Sequence, residues 1–216
     1  MNKICLILMF FLLFIFSGYS QKIKLGFELN PGLSWCKENS KIFDNQMSKF
    51  AIDGGLSMEN YFANNYAFYS GVKLSVYSFK LLFLENADLY INGDLTNINA
   101  GDKINFKLQY INIPLGLKMK TNQIGYFSYY INLGLNSFFN IKSTIHSNFF
   151  DNESVSKEIN PINIGYFVSA GIEYNVVGET NLVLGLKFNN GFVDIFKRKN
   201  SHETLNYILL TTEIIF

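Results

Sequence analysis

Cysteine is nearly missing from this sequence. Cys5 and Cys36 are the only two in 216 residues. Cys5 lies in an apolar N-terminal run, and Cys36 alone cannot close an intramolecular disulfide, so a small secreted fold stapled by disulfides is excluded. Histidine is as scarce, with His146 and His202 only, which leaves too few ligands for a Cys/His zinc site. Asp44, Asp88, Asp94, Asp102 and Asp151 are scattered through turn-like segments, without the close, ordered oxygen spacing of a calcium loop. No metal and no cofactor is expected. An excess of positive charge is also lacking: 18 basic residues face 17 acidic ones, which gives no electrostatic case for nucleic acid. Long apolar runs are absent beyond Phe16, so no later segment approaches the roughly 18 residues of a spanning helix.

What is present begins with residues 1–20. Lys3 precedes an apolar stretch from Ile4 to Phe16, followed by Ser17-Gly18-Tyr19-Ser20 and Gln21. A charged start, a short apolar run and small residues at Gly18 and Ser20 are the marks of an export signal cut before Gln21. The expected organisation is a signal peptide over 1–20 and a single domain over 21–216. Removal of Lys3 leaves 17 basic residues (18 − 1) against 17 acidic. The whole chain is rich in aromatics (17%) and poor in charge (16%), which suggests that much of the domain's surface meets something other than water.

The dominant pattern is alternation with period two, the signature of strands. Eight segments show it, at about 22–35, 50–61, 66–80, 104–119, 124–140, 162–175, 181–193 and 204–216. Their connections alternate between long and short. Phe62–Asn65, Lys120–Gln123 and Val176–Thr180 are short; the links around 36–49, 81–103, 141–161 and 194–203 are long. An up-and-down antiparallel barrel in an outer membrane has this asymmetry, with tight periplasmic turns and larger external loops.

Charge placement sharpens that reading. Successive residues of a barrel strand face lipid and interior in turn, and a Lys or Arg on the lipid face near the midplane costs about 2–4 kcal/mol. Lys24, Glu28, Asp53, Glu59, Lys73, Lys107, Lys118, Glu173, Lys187 and Glu213 all fall on the set opposite the aliphatic residues of their strands. In the fourth segment this holds only if a bulge near Tyr110 shifts the parity between Phe106 and Ile111. A soluble barrel would carry its charges outside. The expected fold is therefore all-β: a transmembrane antiparallel up-and-down barrel of about eight strands, termini periplasmic, with an interior filled by ten charges of both signs. Aromatics bunch at strand ends as two interfacial girdles: Tyr61, Phe62, Tyr66, Phe68, Tyr126, Phe127 and Tyr174 at one rim, and Trp35, Phe79, Phe138, Phe139 and Phe192 at the other.

Tyr110-Ile111-Asn112-Ile113-Pro114-Leu115-Gly116-Leu117-Lys118 resembles the Y-[LI]-x-[IL]-P-L-x-[LI]-K segment of the PorT-like outer-membrane β-barrel family of Bacteroidetes-type bacteria. Gly54-Gly55-Leu56, Ala170-Gly171-Ile172-Glu173-Tyr174, the Ser20-Gln21 junction and the terminal Phe216 fit the same likeness. Lys187-Phe188-Asn189-Asn190-Gly191-Phe192 departs from the R-Y-x-x-G-L pattern frequent in that family. The resemblance implies a barrel without a catalytic motif, some relatives of which belong to a protein-secretion apparatus. It also implies that Phe216 is the C-terminal signal read by the barrel assembly machinery.

Candidates for catalysis are few. His146 precedes Ser147 and His202 sits between Ser201 and Glu203, both in expected loops, where adjacent Ser and His cannot form a nucleophile–base pair with a third orienting group. An enzyme is not expected. Lys197-Arg198-Lys199 is either a solvated loop tip or a contact for lipid phosphates. The expected partners are outer-membrane lipid, the assembly machinery and a protein or ligand met by the external loops. The expected role is structural or interactive, with a narrow solute pore and a lipid-acting enzyme as alternatives.

Overall fold

The computed structural model describes residues 22–38, 43–198 and 203–216. The expected signal peptide (1–20), Lys199 and His202 lie outside the described residues. Among the described residues there are eleven strands: β1 (Lys22–Glu38), β2 (Phe43–Ala63), β3 (Tyr66–Phe83), β4 (Ala87–Ile91), β5 (Asp94–Ile98), β6 (Lys103–Lys120), β7 (Phe127–His146), β8 (Asp151–Ser154), β9 (Ile162–Val177), β10 (Thr180–Asp194) and β11 (Glu203–Ile215). Eight of them form a closed antiparallel barrel in chain order, β1-β2-β3-β6-β7-β9-β10-β11, with β11 pairing back onto β1 and β6 onto β7. Closure leaves no edge. Phe216 completes the seam, its N–H donating to the Leu25 carbonyl at 2.8 Å.

The strands run several residues past the segments read from the alternation, and β3 shows why. Its outward residues Phe68, Val72 and Leu74 are exposed, while inward Tyr69, Lys73 and Ser75 are buried. Beyond Ser75 the parity continues but the chemistry reverses. Tyr77, Phe79, Leu81 and Phe83 point inward and are buried, while Ser78 and Lys80 point outward. β6 does the same in the opposite direction: Ile104, Phe106, Leu108 and Tyr110 are buried together with Asn112 and Lys118, on one unbroken even-numbered face.

This overturns the bulge near Tyr110. The β3–β6 register is continuous. The single irregularity pairs Gln109 with Lys142 and Tyr110 with Asn140, so the extra residue, Ile141, is on β7. Lys107 is correspondingly exposed, not interior. At its level the barrel has left the apolar band, and a lysine facing water there costs nothing while an interior aliphatic is stabilised by burial. Pro114 has a different effect. The β3–β6 ladder lacks partners where Gly71 and Val72 face Ile113 and Pro114, since proline has no N–H to donate.

The outer surface of the barrel's turn-side half is a continuous apolar band. Leu25, Phe27, Leu56, Leu74, Leu115, Leu133, Val168, Leu184, Leu186 and Leu210 are all exposed. No soluble monomer carries an apolar surface of that extent, whereas acyl chains would cover it. Inside the band, close approach is bought with glycine: Gly116 faces Gly134 across β6–β7 and Gly171 faces Gly185 across β9–β10. A Cβ on Gly116 would meet the Phe167 ring at 2.9 Å.

The rims differ from expectation at three aromatics. Tyr61, Phe79 and Phe138 are buried in the interior because they share the inward parity of their strands. Phe62, Tyr66, Phe68, Tyr126, Phe127 and Tyr174 remain exposed at the turn end, and Phe139 and Phe192 at the other.

Leu184→Arg places a charge in the outer apolar band and is expected to lower stability by about 2–4 kcal/mol, measured by denaturant unfolding in lipid vesicles. Lys107→Met, outside that band, is expected to stay within about 0.5 kcal/mol of the parent.

Candidate functional site

The interior is layered from one end to the other. Nearest the short turns, Lys118 is gripped by Glu59 and by Glu173 at 2.5 Å. Lys120 reaches the second oxygen of Glu173 at 3.3 Å, and the Tyr61 hydroxyl donates to Glu59 at 2.6 Å. β6 supplies both lysines two residues apart, hence on one face; β2 and β9, far apart in sequence, supply the carboxylates.

One layer higher, Lys73 is the hub. Its ammonium donates to Glu28 and, at 2.7 Å, to the Tyr69 hydroxyl, and it lies 4.0 Å from Asp53. Tyr69 also donates to Glu28. Asn30 ties the two acids together, donating to Glu28 at 2.7 Å and Asp53 at 2.9 Å. Ser57 donates to Glu213. Lys187 sits over the Phe167 ring, 4.6 Å from its centroid, a cation–π contact.

Of the ten charges read as interior, Lys24, Glu28, Asp53, Glu59, Lys73, Lys118, Glu173, Lys187 and Glu213 are buried, and Lys107 is not. Lys120, half-buried, faces the same side as this set and was missed; its even number, shared with Lys118, was the signal. With it the charged layers toward the short turns hold five lysines and five acids. Between Glu28, Lys118, Lys187 and Glu213 lies a cavity of about 10 Å³, room for about one water molecule.

An aromatic layer lies above the charges. Tyr77 and Tyr207 stack at 4.7 Å with planes 8° apart, Phe138 meets Tyr77 edge-on at 6.0 Å, and Asn136 donates to the Tyr207 hydroxyl at 2.8 Å. Above that layer, Phe79, Leu81, Phe106 and Leu108 merge into one apolar core with residues from the long loops: Leu89, Ile91, Val155, Ile159, Ile195 and Phe196.

These loops are therefore a packed cap. The link around 81–103, read as a long loop, contains the β4–β5 hairpin, turned by Asn92 (φ 53°) and Gly93 (φ 101°). Asn-Gly between short alternating runs is a strong hairpin signal, and it was available in the sequence. Glu158 joins three loops: it accepts from the Tyr90 N–H at 2.9 Å and pairs with Arg198 at 3.6 Å. Lys197 donates to the Lys157 carbonyl at 3.0 Å. The basic cluster of the last loop is thus partly a structural tie.

The remaining candidate, His146, lies 3.2 Å from Asp151, with the two side chains 60% and 83% exposed. The Ser147 hydroxyl accepts from the N–H groups of Phe149 and Phe150, and both His146 and Ser147 border a cavity of about 290 Å³. At the opposite end, Lys22 pairs with Glu179 at 2.5 Å, and its hydrogen bond holds the Glu179 carboxyl below the ordinary carboxylate range.

A closed eight-stranded barrel, apolar on its outer face and ionic within, is a transmembrane barrel of the outer-membrane type. Residues 19–197 match the outer membrane protein beta-barrel domain family, and the chain belongs to that family. Among solved structures, it is similar to the attachment invasion locus protein Ail of Yersinia pestis (16% identity, 89% of this chain and 98% of that one, TM-score 0.41). It is also similar to the outer membrane protein OprG of Pseudomonas aeruginosa (13%, 88% and 95%, 0.43) and the outer membrane protease OmpT of Escherichia coli (12%, 92% and 98%, 0.45). No curated protein matches the sequence.

Two substitutions test these layers. Lys73→Met strips Glu28 and Asp53 of their buried cation and is expected to cost about 3–5 kcal/mol, read by unfolding in vesicles. Glu158→Ala is expected to leave the barrel folded but to speed hydrogen exchange at the Tyr90 amide at least tenfold, as an acceptor worth about 1–3 kcal/mol is lost.

Proposed function

We propose that this protein is a closed scaffold of the outer membrane, its capped loop end presented outside the cell to a protein partner or ligand. The observation that carries this reading is the packing of the barrel's middle among the described residues. A charged layer whose cavity between Glu28, Lys118, Lys187 and Glu213 measures about 10 Å³ lies below a continuous apolar core built jointly by barrel and loops. A barrel of eight strands has little interior to spare, and here ion pairs and aromatic rings fill it. Solute transport asks for the opposite, a continuous wet lumen.

The reading extends to biogenesis. Residues 1–20 direct export and are removed before Gln21, the short turns and both ends of the domain face the periplasm, and Phe216 is recognised by the barrel assembly machinery. The Tyr110–Lys118 segment supports a place among PorT-like barrels, and service in a secretion apparatus is one form the scaffold role takes. A lipid-acting enzyme finds less support: His146 and Ser147 border a cavity of about 290 Å³, but the His146–Asp151 pair is largely exposed to solvent.

Planar-bilayer recording separates scaffold from pore: purified protein is expected to insert without stable single-channel steps, and sizeable, reproducible steps would overturn the scaffold reading. His146→Ala is expected to leave the lipid composition of the host outer membrane unchanged, by mass spectrometry of extracted lipids.

A further inference from the structure

The turn end of the barrel opens into a cavity of about 530 Å³ lined by Lys22, Lys24, Tyr61, Phe62, Asn64 and Lys120. Ligand pockets commonly measure about 300–1,000 Å³. Its charges do not cancel. Lys118 is held by Glu59 and Glu173, and Lys120 shares that same Glu173 at 3.3 Å. Lys22 pairs with Glu179 at 2.5 Å. Lys24 reaches only a backbone carbonyl, that of Glu179, at 3.4 Å, and makes no ion pair among the described residues. Four ammonium groups thus meet three carboxylates, and the surplus cation is a buried residue held in place by its strand.

From this geometry we propose that the turn-end mouth binds a phosphate ester, the phosphate taking Lys22, Lys24 and Lys120 and the organic part lying along Tyr61 and Phe62. Lysines act on phosphate as point charges that need no fixed fork, and a tetrahedral anion offers oxygens to three of them at once. Lys120 is already steadied over the Tyr61 ring, 4.8 Å from its centroid. Phe62, exposed and tilted against the outward Phe68 with ring centres 4.8 Å apart, carries the cavity wall to the lipid side. The phosphate can therefore come from a membrane phospholipid or from a soluble ester.

The test uses the barrel purified in an uncharged maltoside detergent. Glycerol 3-phosphate is titrated by calorimetry, and retention of added phosphatidylglycerol is read by native mass spectrometry. Saturable binding of glycerol 3-phosphate identifies a soluble source. Retained phosphatidylglycerol without it identifies the lipid headgroup. In either case Lys24→Gln is expected to weaken binding about tenfold, in line with the loss of one charge-assisted hydrogen bond. Lys22→Gln, an exposed position that does not endanger folding, is expected to weaken it several-fold, and Lys107→Gln to leave it unchanged. Failure of both probes to bind, or equal binding to the parent and to Lys22→Gln and Lys24→Gln, would overturn the proposal.

Discussion

Lys73 and the acids around it set the terms for the rest of the barrel. An ammonium taken out of water is tolerable only if carboxylates and hydroxyls replace its hydration shell in good geometry. Glu28, Asp53 and Tyr69 do so from three different strands. Those strands, β1, β2 and β3, are neighbours in the sheet, and Gly55 lies opposite both Glu28 and Lys73, so carboxylate and ammonium meet over a residue that has no side chain. Closure adds contacts across the β1–β11 seam, such as Ser57 of β2 donating to Glu213 of β11. The outer face adds its own requirement, since a band of exposed Leu, Ile, Val and Phe tolerates neither a charge nor an unpaired strand edge against lipid.

The same physics explains why the interior changes character along the axis. In the band, the outside is apolar and the polar residues have only the inside to occupy. Past it, water surrounds the strands, and the hydrophobic effect drives aliphatic and aromatic residues inward again. β3 and β6 cross that boundary without breaking parity. Two folding regimes therefore share one set of strands: an ionic core within the membrane and an oily one above it. The Tyr77–Tyr207 layer joins them, since a tyrosine offers a ring to one side and a hydroxyl to the other. The oily core anchors the loops, which is how long, Asn-rich connections become an ordered cap around Glu158.

Read as a sequence, the chain discloses a good deal. Scarce cysteine, a balanced charge, eight alternating segments and links of alternating length are local properties, and they determine an all-β barrel with its polarity turned inward. The parity of Lys24, Glu28, Asp53, Glu59, Lys73, Lys118, Glu173, Lys187 and Glu213 needs no partner to be seen, because side chains alternate strictly along a strand. Lys120 obeyed the same rule and simply lay past the assumed strand end, and Asn92-Gly93 announced the hairpin of the cap.

Three things were settled only by the tertiary structure. Where the membrane band stops is one: parity tells which residues share a face but not what medium that face meets, so Lys107 was put inside and a bulge was invoked that β6 does not have. Which charges pair is another, since strands distant in sequence become neighbours across the interior only through the stagger of the closed ring. The third is the cap, because Leu89, Val155, Ile159 and Phe196 come from separate loops and their burial exists only once all of them rest on the barrel's upper core. Periodicity is written residue by residue, while medium, pairing and burial depend on the whole enclosure.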